Sequence, residues 1–299
     1  MSNYTYGSPP FTSTTFTAPR AGSDDVITAN NSANFTINGN GGNDVVRTAS
    51  GDDTITTGNG NDKISAGDGN NTVNAGGGTN SVTSGSGNDT VTTGSGNDTI
   101  VAGNGNNTVT AGDGTNSVTS GSGNDTITTG AGADVVNSGS GDDIIRTGGG
   151  NDRINSGGGN DSVNAGAGND IINSGGGTDS LTGGGGHDTF VYASLADARL
   201  GADTIADFST SNPSRAGEGD MLDLRGLVDD FTSLRGDSFA QLVASGHLDF
   251  SAGGGGTVIS FDSNGSAAGG SIGVLATLVG VGFSTEAASV FAFGDNILV

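Results

Sequence analysis

The sequence predicts an all-β protein, a parallel β-roll followed by a β-rich C-terminal domain. The first observation behind this prediction is a nine-residue repeat that continues from Asn40 to Tyr192 without an insertion, in 17 copies. The second is glycine, which accounts for 59 of the 299 residues and recurs at fixed positions of the repeat. The third is one apolar residue at the seventh position of every copy. No α-helix presents a nine-residue spacing as one stripe while it carries two glycines per repeat.

Each repeat predicts one short strand after a tight turn. The pattern G-x-G-N-D-x-U-x-[S/T/A] places a β-branched stretch after a glycine-rich turn, which is typical of a strand of about three residues. Two repeats would form one coil, with the apolar side chain inward and its neighbours outward. The predicted interior residues are Val46, Ile55, Ile64, Val73, Val82, Val91, Ile100, Val109, Val118, Ile127, Val136, Ile145, Ile154, Val163, Ile172, Leu181 and Phe190.

The fifth position of the repeat predicts metal ligands. Thirteen copies have an aspartate there, and Asn71, Asn80, Asn107 and Asn116 fill the other four places. The aspartates are Asp44, Asp53, Asp62, Asp89, Asp98, Asp125, Asp134, Asp143, Asp152, Asp161, Asp170, Asp179 and Asp188.

Carboxylates in this position would repel one another between coils. Two unit charges about 4.8 Å apart repel by about 1 kcal/mol in water and by several times more at a protein surface. A hard dication that is ligated by carboxylates and turn carbonyls reverses this repulsion. The sequence therefore predicts multiple Ca²⁺ ions held by the thirteen aspartates. Whether the four asparagine turns bind the ion stays open, and so does a calcium-free solenoid with solvated aspartates.

The order of the aspartates predicts sites of unequal strength. When alternate repeats are stacked, aspartate follows aspartate at seven places, and six of these lie after Asn124. Between Gly67 and Ser120, each place would pair one aspartate with one asparagine. We expect weaker calcium binding in that stretch, or amide ladders in place of the ion.

These repeats resemble those of the RTX family, the secreted proteins with glycine-rich, hemolysin-type calcium-binding repeats. The resemblance covers about half the chain and implies a calcium-binding β-roll. This chain departs from the family pattern at the glycine pair that opens the repeat. It usually has Thr, Ser or Ala at the first of these two places, as at Thr57, Ala66, Ser84 and Thr93.

The C-terminal part resembles the secretion domain of RTX proteins that type I machinery exports from Gram-negative bacteria. The landmarks are HDTFVY, DTIADF and GDMLDL. The resemblance implies export to the cell surface or medium. We therefore expect an extended segment over residues 1–21, the β-roll over 22–192 and a secretion and capping domain over 193–299. The apolar cap would contain Phe190, Phe208, Leu222, Leu224, Phe239 and Phe250.

The N-terminal residues are uncharged before Arg20 and contain Tyr4, Tyr6, Phe11 and Phe16. A free tail seldom has so many aromatic residues. We expect this segment either to fold back as a cap or to pack against the next molecule, which would give head-to-tail association through residues 1–20. No basic start with an apolar stretch is present, which argues against a cleaved signal.

Composition excludes several partners. A net charge of −23 would repel a phosphate backbone, so no nucleic acid partner is expected. The chain has no cysteine, which excludes disulfides and thiolate sites. The longest nearly apolar run, Ile272 to Phe283, is shorter than the roughly 20 residues that span a bilayer. No transmembrane segment is therefore expected.

The sequence does not favour an enzyme. Its only histidines, His187 and His247, form no HExxH motif, and no histidine follows Ser271 in the esterase-like GGSIG. A polysaccharide-modifying enzyme is the less favoured possibility, because metal binding accounts for the repeat aspartates. We expect a secreted structural protein that forms an extracellular filament, surface layer or biofilm matrix. The alternative is an adhesin that binds polysaccharide or cell surfaces.

Overall fold

The structure is a computed structural model of the 299-residue chain. It describes residues 2–6, 14–194, 201–209, 219–229, 241–242, 245, 247–253, 255–262, 271–279, 281 and 297–298. The chain forms two compact units, Met1–Gly149 and Gly150–Val299. Both are almost entirely β-structure, and the parallel β-roll predicted from the sequence is confirmed.

Among its described residues, the first unit contains sixteen strands in two parallel sheets. They are β1 Ser2–Tyr6, β2 Thr15–Thr17, β3 Asp25–Ala29, β4 Thr36–Asn38, β5 Val45–Arg47, β6 Thr54–Thr56, β7 Lys63–Ser65, β8 Thr72–Gly76, β9 Ser81–Thr83, β10 Thr90–Thr93, β11 Thr99–Gly103, β12 Thr108–Thr110, β13 Ser117–Ser120, β14 Thr126–Thr128, β15 Val135–Ser140 and β16 Ile144–Arg146. Odd-numbered strands form one sheet and even-numbered strands the other, each in chain order. The repeat register is 18 residues, so that Val91 pairs with Val109.

The second unit continues the same pattern and then changes it. Its described elements are β17 Arg153–Gly158, β18 Ser162–Ala167, β19 Ile171–Asn173, β20 Ser180–Gly185, β21 Thr189–Val191, β22 Asp203–Ile205, β23 Met221–Asp223, α1 Arg225–Asp229, β24 Leu248–Gly253, β25 Gly256–Asp262, β26 Ser271–Val279 and β27 Ile297–Leu298. One sheet has the order β17-β19-β21-β23-β27 and the other β18-β20-β22-β26-β25-β24. Pairing becomes antiparallel at β26-β25-β24.

The interior of each unit is the predicted apolar column. All seventeen side chains at the seventh repeat position are at most 2% exposed. In β12, for example, Val109 is buried between exposed Thr108 and Thr110. Such alternation is what a three-residue strand with one inward side chain requires.

Glycine is required where adjacent coils approach closely. Gly87 has a φ of 125°, and a Cβ atom built on it would lie 2.3 Å from the carbonyl oxygen of Gly69 in the preceding coil. Both the positive φ and the short distance exclude an L side chain without movement of the backbone.

We expect Gly87→Ala to destabilise the calcium-loaded protein, because the methyl group would force two coils apart. Strain of this kind costs on the order of 1–3 kcal/mol. The matched control is Gly77→Ala, since Gly77 has no positive φ and its nearest contact from a Cβ would be 3.3 Å. Thermal unfolding in calcium measures both variants. Equal melting temperatures for Gly87→Ala and Gly77→Ala would show that close contact between coils does not explain the regular spacing of glycine within the repeat.

The N-terminal residues fold onto their own molecule. Strand β1 pairs with β3, and β2 pairs with β4, both in parallel. The rings of Tyr4 and Phe16 lie 4.8 Å apart between centroids, and Phe16 is buried. Of the two arrangements left open by the sequence, the described residues show the intramolecular one, while Phe11 lies outside them.

The start of the second unit's C-terminal region has an apolar interior. The rings of Phe190 and Phe208 are 6.0 Å apart, and Leu222 and Leu224 are fully buried. Phe250 is half-buried in β24, and the predicted cap residue Phe239 lies outside the described residues. Across the described parts of the chain, the structure has no helix with the length and apolar character needed to cross a membrane.

Candidate metal centre

In each unit, the fifth position of the repeat forms two buried columns. All thirteen predicted aspartates are at most 2% exposed. Within a unit, the typical Oδ1 atom of a column accepts a hydrogen bond from the main-chain N–H of the residue 18 positions earlier. Asp62 accepts from Asp44 at 2.7 Å, and Asp89 accepts from Asn71 at 2.8 Å. These carboxylates are therefore interior groups, and the possibility of solvated aspartates is wrong.

The second carboxylate oxygen, Oδ2, is the unusual atom of these columns. It is buried and accepts no hydrogen bond in Asp44, Asp53, Asp62, Asp89, Asp98, Asp125, Asp170, Asp179 and Asp188. A buried charged oxygen without a donor is costly, and proteins normally pair it or give it a metal ion.

The asparagine turns show what surrounds that position. Oδ1 of Asn71 accepts from the N–H of Asp53, as an aspartate Oδ1 does elsewhere in the column. Its Nδ2 therefore takes the place of Oδ2, and it donates its two hydrogens, one of them shared, to the carbonyl oxygens of Gly67, Gly69 and Ser84 at 3.0–3.1 Å. We call this group of oxygens the cage. It consists of two carbonyls from the residue's own turn and one from the next coil.

An aspartate in the same frame makes an all-oxygen cage. Its Oδ2 faces carbonyl oxygens that also lack a donor from position five, so the arrangement is repulsive until a cation enters. Carboxylate and carbonyl oxygens are the ligands that Ca²⁺ prefers. The donor set thus fits calcium, and nitrogen and sulfur ligands for a softer metal are absent from the described cage atoms.

The other three asparagines close their cages in the same way. Nδ2 donates to the carbonyls four and two residues earlier, at 3.2 Å in Asn80, 3.0 Å in Asn107 and 3.0–3.1 Å in Asn116. The amide group thus donates to the carbonyls that an aspartate Oδ2 would face without a hydrogen. The asparagine turns are therefore complete without an ion.

The geometry gives the two oxygens of a column aspartate different roles, and the expectation of two carboxylates per site stays a prediction. The next coil contributes a carbonyl to the Asn71 cage, while the carboxylate of that coil, Asp89, uses its Oδ1 on the N–H of Asn71. Among the described residues, no three acidic or histidine side chains converge on one metal position. A cage contains one carboxylate Oδ2, because the Oδ1 atom of the same aspartate accepts a main-chain hydrogen bond from the preceding coil.

Burial raises the pKa of the column carboxyls. The pKa of Asp44 rises to about 7, and that of Asp170 and Asp188 to about 6, in each case mainly because burial disfavours the charged form. Nearby carboxylates raise these pKa values further, while the main-chain N–H bonds to Oδ1 oppose the shift. Without a bound cation, these carboxyls therefore hold protons more tightly than they do in an unfolded chain.

We expect acid to substitute in part for calcium. The ordinary pKa of these carboxyls is 3.8, so their contribution to stability is present below about pH 4 and is lost as pH rises through 6 to 7. In protein dialysed free of calcium, circular dichroism should show more β-structure at pH 4.5 than at pH 8. Equal β-structure at the two pH values would contradict buried, ion-free carboxylates as the source of instability.

Three column residues were missed in the sequence. Asp25 donates its N–H to Asp44 Oδ1, Asp203 Oδ1 accepts from Asp179, and Asp220 Oδ1 accepts from Asp188. Each stands two residues before a buried aliphatic residue, as Asp203 does before Ile205. An aspartate two residues before an aliphatic residue was therefore the sequence signal that could have identified them. Asp203 differs from the repeat aspartates, because Tyr192 donates its hydroxyl hydrogen to Oδ2 at 2.8 Å.

The fourth repeat position forms a second, exposed ladder that the sequence did not predict. Asn88 Oδ1 accepts from the N–H of Asn106, and Asn106 Oδ1 accepts from Asn124, each at 2.8 Å. This ladder points to the following coil, whereas the buried column points to the preceding one. The Asn-Asp pair of the repeat thus joins each coil to both neighbours.

The residues considered for catalysis lie elsewhere. His187 Nδ1 accepts a hydrogen bond from the N–H of Gly219 at 2.9 Å. Ser271 begins strand β26, whereas the esterase elbow requires a turn from a strand into a helix.

Comparison with known protein families matches the same part of the chain. The model of the RTX calcium-binding nonapeptide repeat (4 copies) fits nine overlapping stretches, which together span residues 21–190. This is more than half of the 299 residues. The chain belongs to the RTX calcium-binding nonapeptide repeat family. The aspartates at the fifth position of the repeat therefore belong to a calcium-binding repeat.

Among solved structures, this RTX chain is similar to the R3 subunit of the AlgE6 mannuronan C5-epimerase from Azotobacter vinelandii. The two are 29% identical, and the match covers 56% of this chain and 78% of that one, with a TM-score of 0.27. Comparison with curated proteins gives no match.

Proposed function

We propose that this protein is a calcium-triggered structural β-roll, in which the thirteen repeat aspartates bind several Ca²⁺ ions and thereby fold the chain. One observation carries the proposal. A buried aspartate Oδ2 without a donor occupies the place where, in Asn71, an amide donates to three carbonyls. A cation is what such a set of oxygens lacks.

The proposed role is to respond to the calcium concentration outside the cell. Ca²⁺ sites of extracellular modules bind with dissociation constants of about 10⁻⁴–10⁻³ M, so the chain would stay unfolded inside a cell and fold outside. Limited proteolysis over a calcium titration tests this role. Protection of residues 22–192 should develop at millimolar calcium, and full protection at micromolar calcium would contradict it.

We propose export by type I secretion machinery through the C-terminal region. The three sequence landmarks contain strand β21 of the last repeat and strands β22 and β23, and the latter two extend the two sheets beyond the repeats. A cell-based assay compares the full chain with a variant that lacks residues 193–299, both expressed with a type I transporter in a Gram-negative host. Equal amounts in the medium would contradict the proposal.

We propose that the folded rolls associate into an extracellular filament, surface layer or matrix. Strands β1 and β2 are the outermost members of their sheets, and exposed strand edges pair with other chains. Electron microscopy of full-length protein and of a variant lacking residues 1–20, both in calcium, tests the contact. Filaments of equal length from both would exclude this segment as the connector, and monomers from both would exclude self-assembly.

A second candidate is an adhesin that binds polysaccharide or a cell surface. Its support is a row of threonines on one face of the first unit, where Thr72, Thr90 and Thr108 are paired in register and exposed. A glycan array probed with calcium-loaded monomer separates the two. Specific glycan binding favours the adhesin, and assembly without any glycan favours the structural role. The proposal includes no catalytic step.

A further inference from the structure

A second buried column runs beside the aspartates. The residue five positions before each cage residue is the last residue of the preceding repeat, and it is buried throughout. Ser84 is fully buried, and its hydroxyl donates to the carbonyl oxygen of Ala102 at 2.9 Å. Thr93, Ser120 and Thr129 donate in the same way to carbonyls 18 residues later, at 2.7–2.8 Å.

These hydroxyls contact the cage itself. In the Asn71 cage, the carbonyl from the next coil belongs to Ser84, thirteen residues after the asparagine. The corresponding carbonyl for Asp89 belongs to Ala102, and the donor to it is the Ser84 hydroxyl. The carbonyl from the next coil thus accepts a hydrogen bond from an amide in the asparagine cage and from a hydroxyl in the aspartate cage.

The identity of this residue follows the identity of the cage residue. All four asparagines have alanine five positions earlier, namely Ala66, Ala75, Ala102 and Ala111. Ten of the thirteen aspartates have serine or threonine there, and the exceptions are Asp44, Asp170 and Asp188. The ten are Asp53, Asp62, Asp89, Asp98, Asp125, Asp134, Asp143, Asp152, Asp161 and Asp179.

The hydroxyl also lies against the carboxylate. The Thr93 hydroxyl is close enough to the Asp98 carboxylate to form a hydrogen bond with it. Because the single hydroxyl hydrogen of Thr93 is donated to the carbonyl of Ala111, the oxygen keeps lone pairs beside the carboxylate. Such an oxygen is a suitable Ca²⁺ ligand.

We propose that the buried residue five positions before each cage residue determines which kind of cage is built. A Ser or Thr hydroxyl completes an aspartate cage as a further oxygen ligand for a divalent cation, and Ala accompanies an Asn whose amide replaces the cation. A hydroxyl next to Asn71 would compete with the amide for the carbonyl of Ser84, so alanine is the matching residue. This inference rests on the proposed function, because it assigns a further ligand to the same sites.

A double-mutant cycle at Ala66 and Asn71 tests the proposal. The four proteins are the natural chain, Ala66→Ser, Asn71→Asp and the double variant, each measured by equilibrium dialysis with calcium and by circular dichroism over a calcium titration. Ala66→Ser alone should raise the calcium midpoint of folding. In the Asn71→Asp background the same change should lower the midpoint by about three- to tenfold and add one bound calcium per chain. The proposal predicts this reversal of sign.

The reverse double-mutant cycle, at Ser84 and Asp89, keeps the proposal testable if a variant of the first cycle does not fold. Asp89→Asn with Ser84→Ala copies a natural asparagine cage, so this double variant should fold and bind one calcium fewer. Ser84→Ala should weaken calcium binding when residue 89 is aspartate and favour folding when it is asparagine.

An effect of the hydroxyl that is equal in both backgrounds, in either cycle, would overturn the inference and leave the hydroxyl with a packing role. A natural chain that binds no calcium would instead overturn the proposed function.

Discussion

Excess EGTA at neutral pH is expected to abolish most of the β-structure of the purified protein, and millimolar calcium to restore it. The reason is that nine of the column aspartates have a buried Oδ2 atom without a donor. In an unfolded chain these carboxylates are hydrated, so the folded state alone carries their desolvation cost. A ligand that binds only the folded form stabilises it by about 2.7 kcal/mol per site at a concentration 100 times its Kd. With several such sites, calcium binding determines whether the chain is folded.

Far-ultraviolet circular dichroism measures this change, and magnesium is the matched control. Mg²⁺ requires a tight octahedral shell at about 2.0–2.1 Å and keeps its waters, so wide cages of carbonyls should select against it. Folding by magnesium at the same concentration as calcium would contradict the cages as the origin of the effect. Equal β-structure in EGTA and in calcium would contradict calcium-linked folding itself.

The second large effect is expected from asparagine replacements along one column. Asp53, Asp89 and Asp125 alternate with Asn71 and Asn107, so changing the three aspartates to asparagine gives five consecutive amide cages. Each replacement removes a buried Oδ2 that has no donor and supplies an amide that can donate to the cage carbonyls. An unsatisfied buried group costs about 1–3 kcal/mol, so three replacements should stabilise the ion-free form by roughly 3–9 kcal/mol.

The triple asparagine variant should therefore retain β-structure in EGTA where the natural chain loses it. The control is the triple alanine variant, which removes the same charges but supplies no donor. If charge repulsion alone destabilised the empty roll, both variants would fold equally well in EGTA. Retention of structure by the asparagine variant only is the expected result.

Much of the repeat could be predicted from the sequence, because its period is regular and each position has one physical task. The seventh position had to face inward, since it is the one constant apolar residue of a three-residue strand, and Val109 in β12 shows this. The aspartate columns followed from the same periodicity. The N-terminal strands were less certain, because β1 and β2 lie before the regular repeat.

The atoms of the site could not be predicted in the same way. Sequence does not show that Asp62 uses Oδ1 on a main-chain N–H and leaves Oδ2 for a cage, because this division depends on the register between coils. For the same reason, the expectation of paired carboxylates stays a prediction. Asp25, Asp203 and Asp220 were missed because they stand outside the uninterrupted period, although the spacing to their aliphatic residues is the same.

The most direct test of the account is the position of calcium in crystals of the loaded protein, located by its anomalous scattering. The account predicts an ion bound by Oδ2 of Asp89 and by the carbonyls of Gly85 and Gly87, with no ion in the neighbouring turn of Asn71. Ions in both kinds of turn, or aspartate cages that stay empty at millimolar calcium, would contradict it.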